Sequence, residues 1–178
     1  MEFSVDGSGK ILAQTPAVLR ALLGALPDSL VYANYGPGTW SPHEVVGHLI
    51  HGDKTDWIPR ARWILERGEA APFEPFDRDG HRSLCREKTV EELLDLFASV
   101  RESSLAELRS LPLTPENLSR RGRHPALGIV TLSQLLATWV VHDLNHISQI
   151  CKALAFQHRQ EVGPWEAYLS ILAPPAPR

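Results

Sequence analysis

Apolar side chains recur at three- and four-residue intervals in four long stretches of the chain, and each stretch is bracketed by residues that start and stop helices. Thr15-Pro16 pairs an N-cap with a proline at the first helical position, and its apolar stripe runs to Leu26 before Pro27. Ser41-Pro42-His43-Glu44 combines an N-cap, a first-turn proline and a capping box, and opens a helix to about Arg67, where Gly68 stops it; Pro59 kinks or interrupts it part-way. Thr89-Val90-Glu91-Glu92 is a second capping box, ahead of EELLDLFASVRESSLAELRSL with Pro112 as terminator. Thr131-Leu132-Ser133-Gln134 starts a fourth helix through about Phe156, whose LLATWVV stretch is apolar on nearly every side and therefore belongs deep in a core. A short fifth helix is expected over Pro164 to Leu172.

The connections are long and polar. Residues 69–88 and 112–130 read as loops, the latter carrying Arg120, Arg121, Arg123 and His124, with Gly128-Ile129-Val130 able to pair briefly as strand. Four long helices with such connections predict an all-α fold: a four-helix bundle with long crossover loops and a short extra C-terminal helix. The 178 residues suit one domain, 1–178, with flexible tails at 1–10 and 173–178; Pro174-Pro175-Ala176-Pro177 is incompatible with a helix.

Composition narrows the functional classes. With 18 Lys plus Arg against 21 Asp plus Glu, the net charge of −3 lacks the clustered positive charge that nucleic acid demands. No run of about 18 apolar residues is present to span a membrane, and MEFSVDGSGK lacks the basic patch and apolar stretch of a secretory leader. Two cysteines, Cys85 and Cys151, are too few for a disulfide framework, so a cytoplasmic protein with reduced thiols is expected. Trp63, Trp165 and an exposed end of the first helix are candidate contacts for a homodimer.

Candidate chemistry centres on His142-Asp143-Leu144-Asn145-His146. Histidines four apart lie about one turn apart on one helix face, and both can reach one metal ion. Leu135, Trp139, Gln149 and Ala153 share that face, so both rings point inward. A buried imidazole brings a donor and an acceptor that must both be satisfied, either by neighbours or by ligation. On the second helix His48 lies at the margin of an apolar arc that includes Val45, Val46, Leu49, Ile50 and Trp57, facing a neighbouring helix, whereas His51 lies on the polar side. Three neutral imidazoles on one ion leave positions open for water or substrate, the mark of a reactive rather than a structural site. Asp53 and Asp56 are either polar core partners or active-site acids. Cys151 reads as packing, and His43, His81 and Cys85 as ordinary surface. The Arg120–His124 stretch is a solvated loop or the rim of a pocket that attracts anions.

Gly38-Thr39-Trp40-Ser41-Pro42-His43-Glu44-Val45-Val46-Gly47-His48-Leu49, followed by Trp139-Val140-Val141-His142-Asp143-Leu144-Asn145-His146-Ile147-Ser148-Gln149-Ile150, resembles the DinB-like (DinB/YfiT-like) superfamily. The resemblance runs from the first helix to about Leu154. It implies a four-helix bundle of the family's crossover topology and a zinc or nickel site made by His48, His142 and His146. It also implies metal-assisted attack by a small-molecule thiol on an electrophilic substrate, as in bacillithiol transferases and mycothiol-dependent maleylpyruvate isomerases. The leading expectation is thus a thiol S-transferase, or a hydrolase, acting on a small electrophile. Two alternatives stay open: a non-catalytic metal-binding or stress-response protein with a structural metal, and a zincin-type protease with Asp143 as base and Glu166 as third ligand.

Overall fold

The computed structural model describes residues 4–173; the Pro174–Pro177 stretch and residues 1–3 lie outside them. In chain order the elements are α1 (Val5–Leu23), α2 (Asp28–Val31), α3 (Pro42–Thr55), α4 (Trp57–Arg67), α5 (Arg82–Glu87), α6 (Val90–Ser110), α7 (Pro115–Leu118), β1 (Arg121–His124), β2 (Gly128–Thr131), α8 (Leu132–Phe156) and α9 (Arg159–Val162). Two short 3₁₀ turns follow, Gly163–Tyr168 and Ser170–Leu172. Four of these helices form a ring: α1 packs on α6, α6 on α3, α3 on α8, and α8 back on α1. Consecutive helices α1 and α3, and α6 and α8, therefore sit across the ring from each other, and long connections carry the chain over its ends. The fold is a four-helix bundle, as the periodicity predicts.

Three of the four expected helix starts are built as their sequences imply. Ser41, Thr89 and Thr131 each accept a hydrogen bond from the N3 backbone N–H, and Glu44, Glu92 and Gln134 reach back to the cap residue's own N–H. The first helix differs. It begins at Val5 on an N-cap from Ser4, so residues 5–10, expected in a flexible tail, are helical, and Pro16 lies inside the helix. A proline cannot donate to the carbonyl four residues back, here that of Leu12. Arg101 of α6 fills that gap: its Nη1 donates to the Leu12 carbonyl oxygen at 2.9 Å. Pro59 also acts earlier than its own position, since its missing N–H would have faced Thr55. The chain breaks at Asp56, and Pro59 sits harmlessly in the first turn of α4.

Other differences are local. Arg121–His124 and Gly128–Thr131 form an antiparallel hairpin, in which Gly122 pairs with Val130 and Gly128 takes φ +77° at the turn. Only the second of these strands is hinted at in the sequence. The expected fifth helix over Pro164–Leu172 is instead the two 3₁₀ turns, the first of which opens on Gly163 at φ +55° directly after α9. The stretch 69–88 contains α5, which lies against α3 because Gly47 has no side chain there; a Cβ at that position would collide with Cys85 Sγ.

The core has two apolar clusters. One gathers Leu12, Trp57, Ile64, Phe73, Leu132 and Trp139, the other Leu19, Val45, Leu49, Leu93, Phe97 and Ile150. Arg101, 1% exposed, lies between them, its guanidinium over the rings of Phe97 and Trp139 at 4.8 and 5.2 Å. It bonds both oxygens of Asp53 on α3, at 2.7 and 3.0 Å, and both oxygens of Asp143 on α8. Thr15 of α1 donates to Asp143 at 2.7 Å, and Trp139 Nε1 to Asp53 at 3.2 Å. One cation thus joins all four bundle helices. Replacing Arg101 by Ala strands two buried carboxylates and should lower the unfolding free energy by about 3–5 kcal/mol. Urea denaturation reads this directly, and a loss below about 1 kcal/mol, the scale of an exposed ion pair, would contradict it.

Candidate metal centre

His48 leaves α3 one turn before Gly52, and His142 and His146 leave α8 on adjacent turns; the three rings meet where α3 and α8 pack. His48 and His146 are 6% and 7% exposed. Nε2 of His142 lies 3.1 Å from Nε2 of His48 and 3.1 Å from Nε2 of His146. One donor atom from each ring falls within 4.8 Å of the other two. A neutral imidazole nitrogen carries either one hydrogen or one lone pair, so the His142 Nε2 cannot donate to one neighbour while accepting from the other. Both contacts can be hydrogen bonds only if that one hydrogen or lone pair is shared between two rings. A single cation satisfies both: nitrogens about 2.0–2.1 Å from a tetrahedral ion are about 3.3 Å apart.

Protonation points the same way. Burial foremost, and then the closeness of the other rings, pushes His48 down to about 2; burial and His142 push His146 down to about 4. These two rings are accordingly neutral at physiological pH, with a lone pair available. For His146 the tautomer is fixed as well, because Nδ1–H donates to Gln149 Oε1 at 2.9 Å and leaves the lone pair on Nε2. Nδ1 of His48 and of His142 are buried without a hydrogen-bond partner among the described residues.

The two aspartates separate. Asp53 belongs to the Arg101 network and is a core partner. Asp143 also turns away from the histidines: its Oδ1 is 4.0 Å from His142 Nδ1, too far for a hydrogen bond, while Arg101 and Thr15 hold it. Burial alone would raise its carboxyl, but the neighbouring His142, Arg101 and Thr15 hold it below the usual range. Asp56, by contrast, lines the pocket over the histidines and pairs with Arg60 Nε at 2.7 Å. Burial pushes its carboxyl upward against the pull of Arg60.

Above the rings lies a pocket of about 630 Å³ walled by Trp40, Trp57, Phe76 and Pro125, with Arg78 and His124 also on its lining. Trp40 packs on His48 at 4.7 Å and Trp57 on His142 at 5.0 Å. Three surface expectations fail. His43 is buried, its Nε2 bonded to the Lys88 carbonyl at 2.9 Å. His81 is 0% exposed, wedged between Trp40 and His48. Cys85 is half-buried beside Gly47, and burial, with Glu44 adding, raises its thiol to about 11, so it is no nucleophile at neutral pH. His51 is half-buried, its ring 5.1 Å from Phe76. Of the Arg120–His124 stretch, only His124 reaches the pocket, and Arg121 pairs with Glu69 outside it. Glu166 pairs with Arg159. With Asp143 engaged as well, both special requirements of a zincin site are missing, and that reading is dropped. Phe76 and Arg78 carried no sequence signal, whereas Trp40 stood in the motif that carried the resemblance.

If the three imidazoles bind an ion, Ala at His48, His142 or His146 should each abolish retention of a stoichiometric divalent metal, read by elemental analysis after dialysis. Gln149→Leu should weaken binding about 10–100-fold while leaving the ligand set intact. In metal-free protein the depressed imidazoles favour the neutral folded state. Their stabilisation is whole above the ordinary value of 6.5 and declines as pH falls, until His146 protonates near about 4. Urea midpoints between pH 7.5 and 5 should fall less for His48→Leu than for wild type; equal falls would contradict the assignment.

Comparison with known proteins identifies similar chains. A relative from Bacillus subtilis (strain 168), named "Putative metal-dependent hydrolase YfiT", is 29% identical over 145 residues, 79% of each chain. The solved structure of YfiT from Bacillus subtilis, described as "a probable metal-dependent hydrolase with an unusual four-helix bundle topology", superposes with a TM-score of 0.71 at 26% identity, covering 88% of this chain and 86% of that one. TT2238, described as a four-helix bundle protein, shares the fold at a TM-score of 0.55 and 20% identity, over 83% of this chain and 98% of its own. Residues 11–150 match the model of the DinB superfamily, and the chain belongs to that family.

Proposed function

We propose that the protein is a metal-dependent hydrolase of small electrophilic substrates, with one zinc or nickel ion held by Nε2 of His48, His142 and His146. The observation that carries this reading is the pair of 3.1 Å contacts at His142 Nε2, which hydrogen bonding satisfies only by sharing one hydrogen or lone pair between two rings and a single ion satisfies outright. Three neutral ligands leave the ion its full charge, and such an ion lowers the pKa of a coordinated water toward neutrality. Each residue nearby has a separate task. Gln149 keeps His146 in the tautomer whose lone pair faces the site. Trp40 and Trp57 pack on two of the rings and limit their rotation. Together with Phe76 they also wall the pocket with apolar surface, which excludes competing water from a bound substrate. Asp56 offers a carboxylate on the same lining, held by Arg60.

The name carried by YfiT supports hydrolysis. A coordinated thiol is ionised by the same charge, so transfer to a thiol is the second reaction the site supports. The rings floor an open pocket rather than a sealed cage, which favours a reactive over a purely structural ion. Zinc- and nickel-loaded protein should hydrolyse 4-nitrophenyl acetate, or conjugate 1-chloro-2,4-dinitrobenzene with a simple thiol, faster than the His142→Ala variant does. Equal rates in both assays would overturn the proposal. Were the ion purely structural, chelation would instead lower the melting temperature sharply with no catalysis to lose.

A further inference from the structure

The pocket has two unlike sides. Helices α3 and α8 supply the three histidines, while the 69–88 connection and the β1–β2 hairpin supply Arg78 and His124. The latter two present hydrogen-bond donors that no described residue satisfies. Arg78 is exposed and makes no ion pair among the described residues; of its acidic neighbours, Asp79 is bound by Arg82 at 2.7 Å, and Asp77 Oδ1 accepts the Asp79 N–H at 3.0 Å. Asp56, the carboxylate on the lining, is matched by Arg60 at 2.7 Å. The carboxylate on the lining thus already has an arginine of its own, and Arg78 is the lining cation with no ion-pair partner among the described residues.

His124 adds a donor of fixed direction. Its Nδ1 accepts the backbone N–H groups of Ala126 and Leu127, each at 3.1 Å, so the lone pair lies on Nδ1 and the ring hydrogen on Nε2. Burial, reinforced by Arg60, lowers the ring's pKa and keeps it in this neutral form. A guanidinium and an imidazole N–H beside aromatic walls match a carboxylate on an apolar body.

We propose that Arg78 and the Nε2–H of His124 form an anion subsite, and that the pocket takes a small molecule with an aromatic or apolar body and one carboxylate, the carboxylate toward the loop side and the reacting end toward the histidines. This rests on the preceding reading only in treating the pocket over the three rings as the substrate pocket. The Arg120–Arg123 cations take no part, since of the basic hairpin stretch His124 alone lines the cavity.

The test is a binding measurement on the full-length, zinc-loaded protein, using 3-phenylpropionate and its neutral amide as probes in titration calorimetry. The acid should bind about tenfold or more tighter than the amide, the factor expected for a charge-assisted contact. Arg78→Gln should cut that preference at least threefold with an unchanged melting temperature. Arg62→Gln, which removes an exposed arginine paired with Glu107 away from the pocket, should leave the preference as it is. The proposal is overturned if the acid shows no saturable binding at millimolar concentration, if it binds no tighter than the amide, or if the preference survives Arg78→Gln; survival would place the carboxylate on the metal instead. The readout is affinity, so absence of turnover would defeat the hydrolase reading and leave this one standing.

Discussion

Arg101 carries a full charge in the middle of the bundle, and the surrounding helices are arranged to satisfy it. Asp53 from α3 and Asp143 from α8 take its charge, the Leu12 carbonyl of α1 takes a further hydrogen, and the rings of Phe97 and Trp139 cover its faces. A buried cation with imperfect partners is strongly unfavourable, so α1, α3 and α8 are tied to fixed heights along α6. Apolar packing alone tolerates sliding by a turn more readily than a bidentate ion pair does.

That constraint reaches the histidines. His48 is five residues before Asp53 on α3, and His142 adjoins Asp143 on α8. Fixing the two aspartates on one guanidinium fixes the relative height of α3 and α8, and with it the distance between His48 and the later pair. The 3.1 Å contacts at His142 Nε2 are thus set partly from beneath, by a network whose members do not line the pocket. Gln149 orients His146 from within the same helix, and Trp40 and Trp57 limit ring motion from above.

Pro16 shows how closely fold and network are joined. Inside a helix a proline ordinarily costs about 3 kcal/mol, partly through the carbonyl it leaves unpaired. Here the freed Leu12 carbonyl is an acceptor Arg101 uses, so the local defect of α1 becomes a contact between helices. The loop side of the molecule works under looser rules. Gly47 lets α5 close over α3, and the hairpin turn holds His124 by its Nδ1. These segments can vary in what they offer a ligand while the helical side stays fixed.

The sequence by itself determined the helical periodicity, the three capping boxes at Ser41, Thr89 and Thr131, and the inward direction of His142 and His146, because caps and faces depend on residues within one turn of each other. It also singled out His48 over His51 from the position of its apolar arc. Tertiary structure alone decided the rest. Pro16 reads as a helix start until Arg101, 85 residues away (101 − 16), supplies the missing donor to Leu12. Asp53 and Asp56 look alike in sequence, and only the partners brought by α6 and α8 make one a core residue and leave the other on the pocket. His43, His81, Arg78 and His124 lie in first turns and connections, where no periodicity reports burial. Their surroundings follow from how the loops cross the bundle, and that crossing is set by long-range packing.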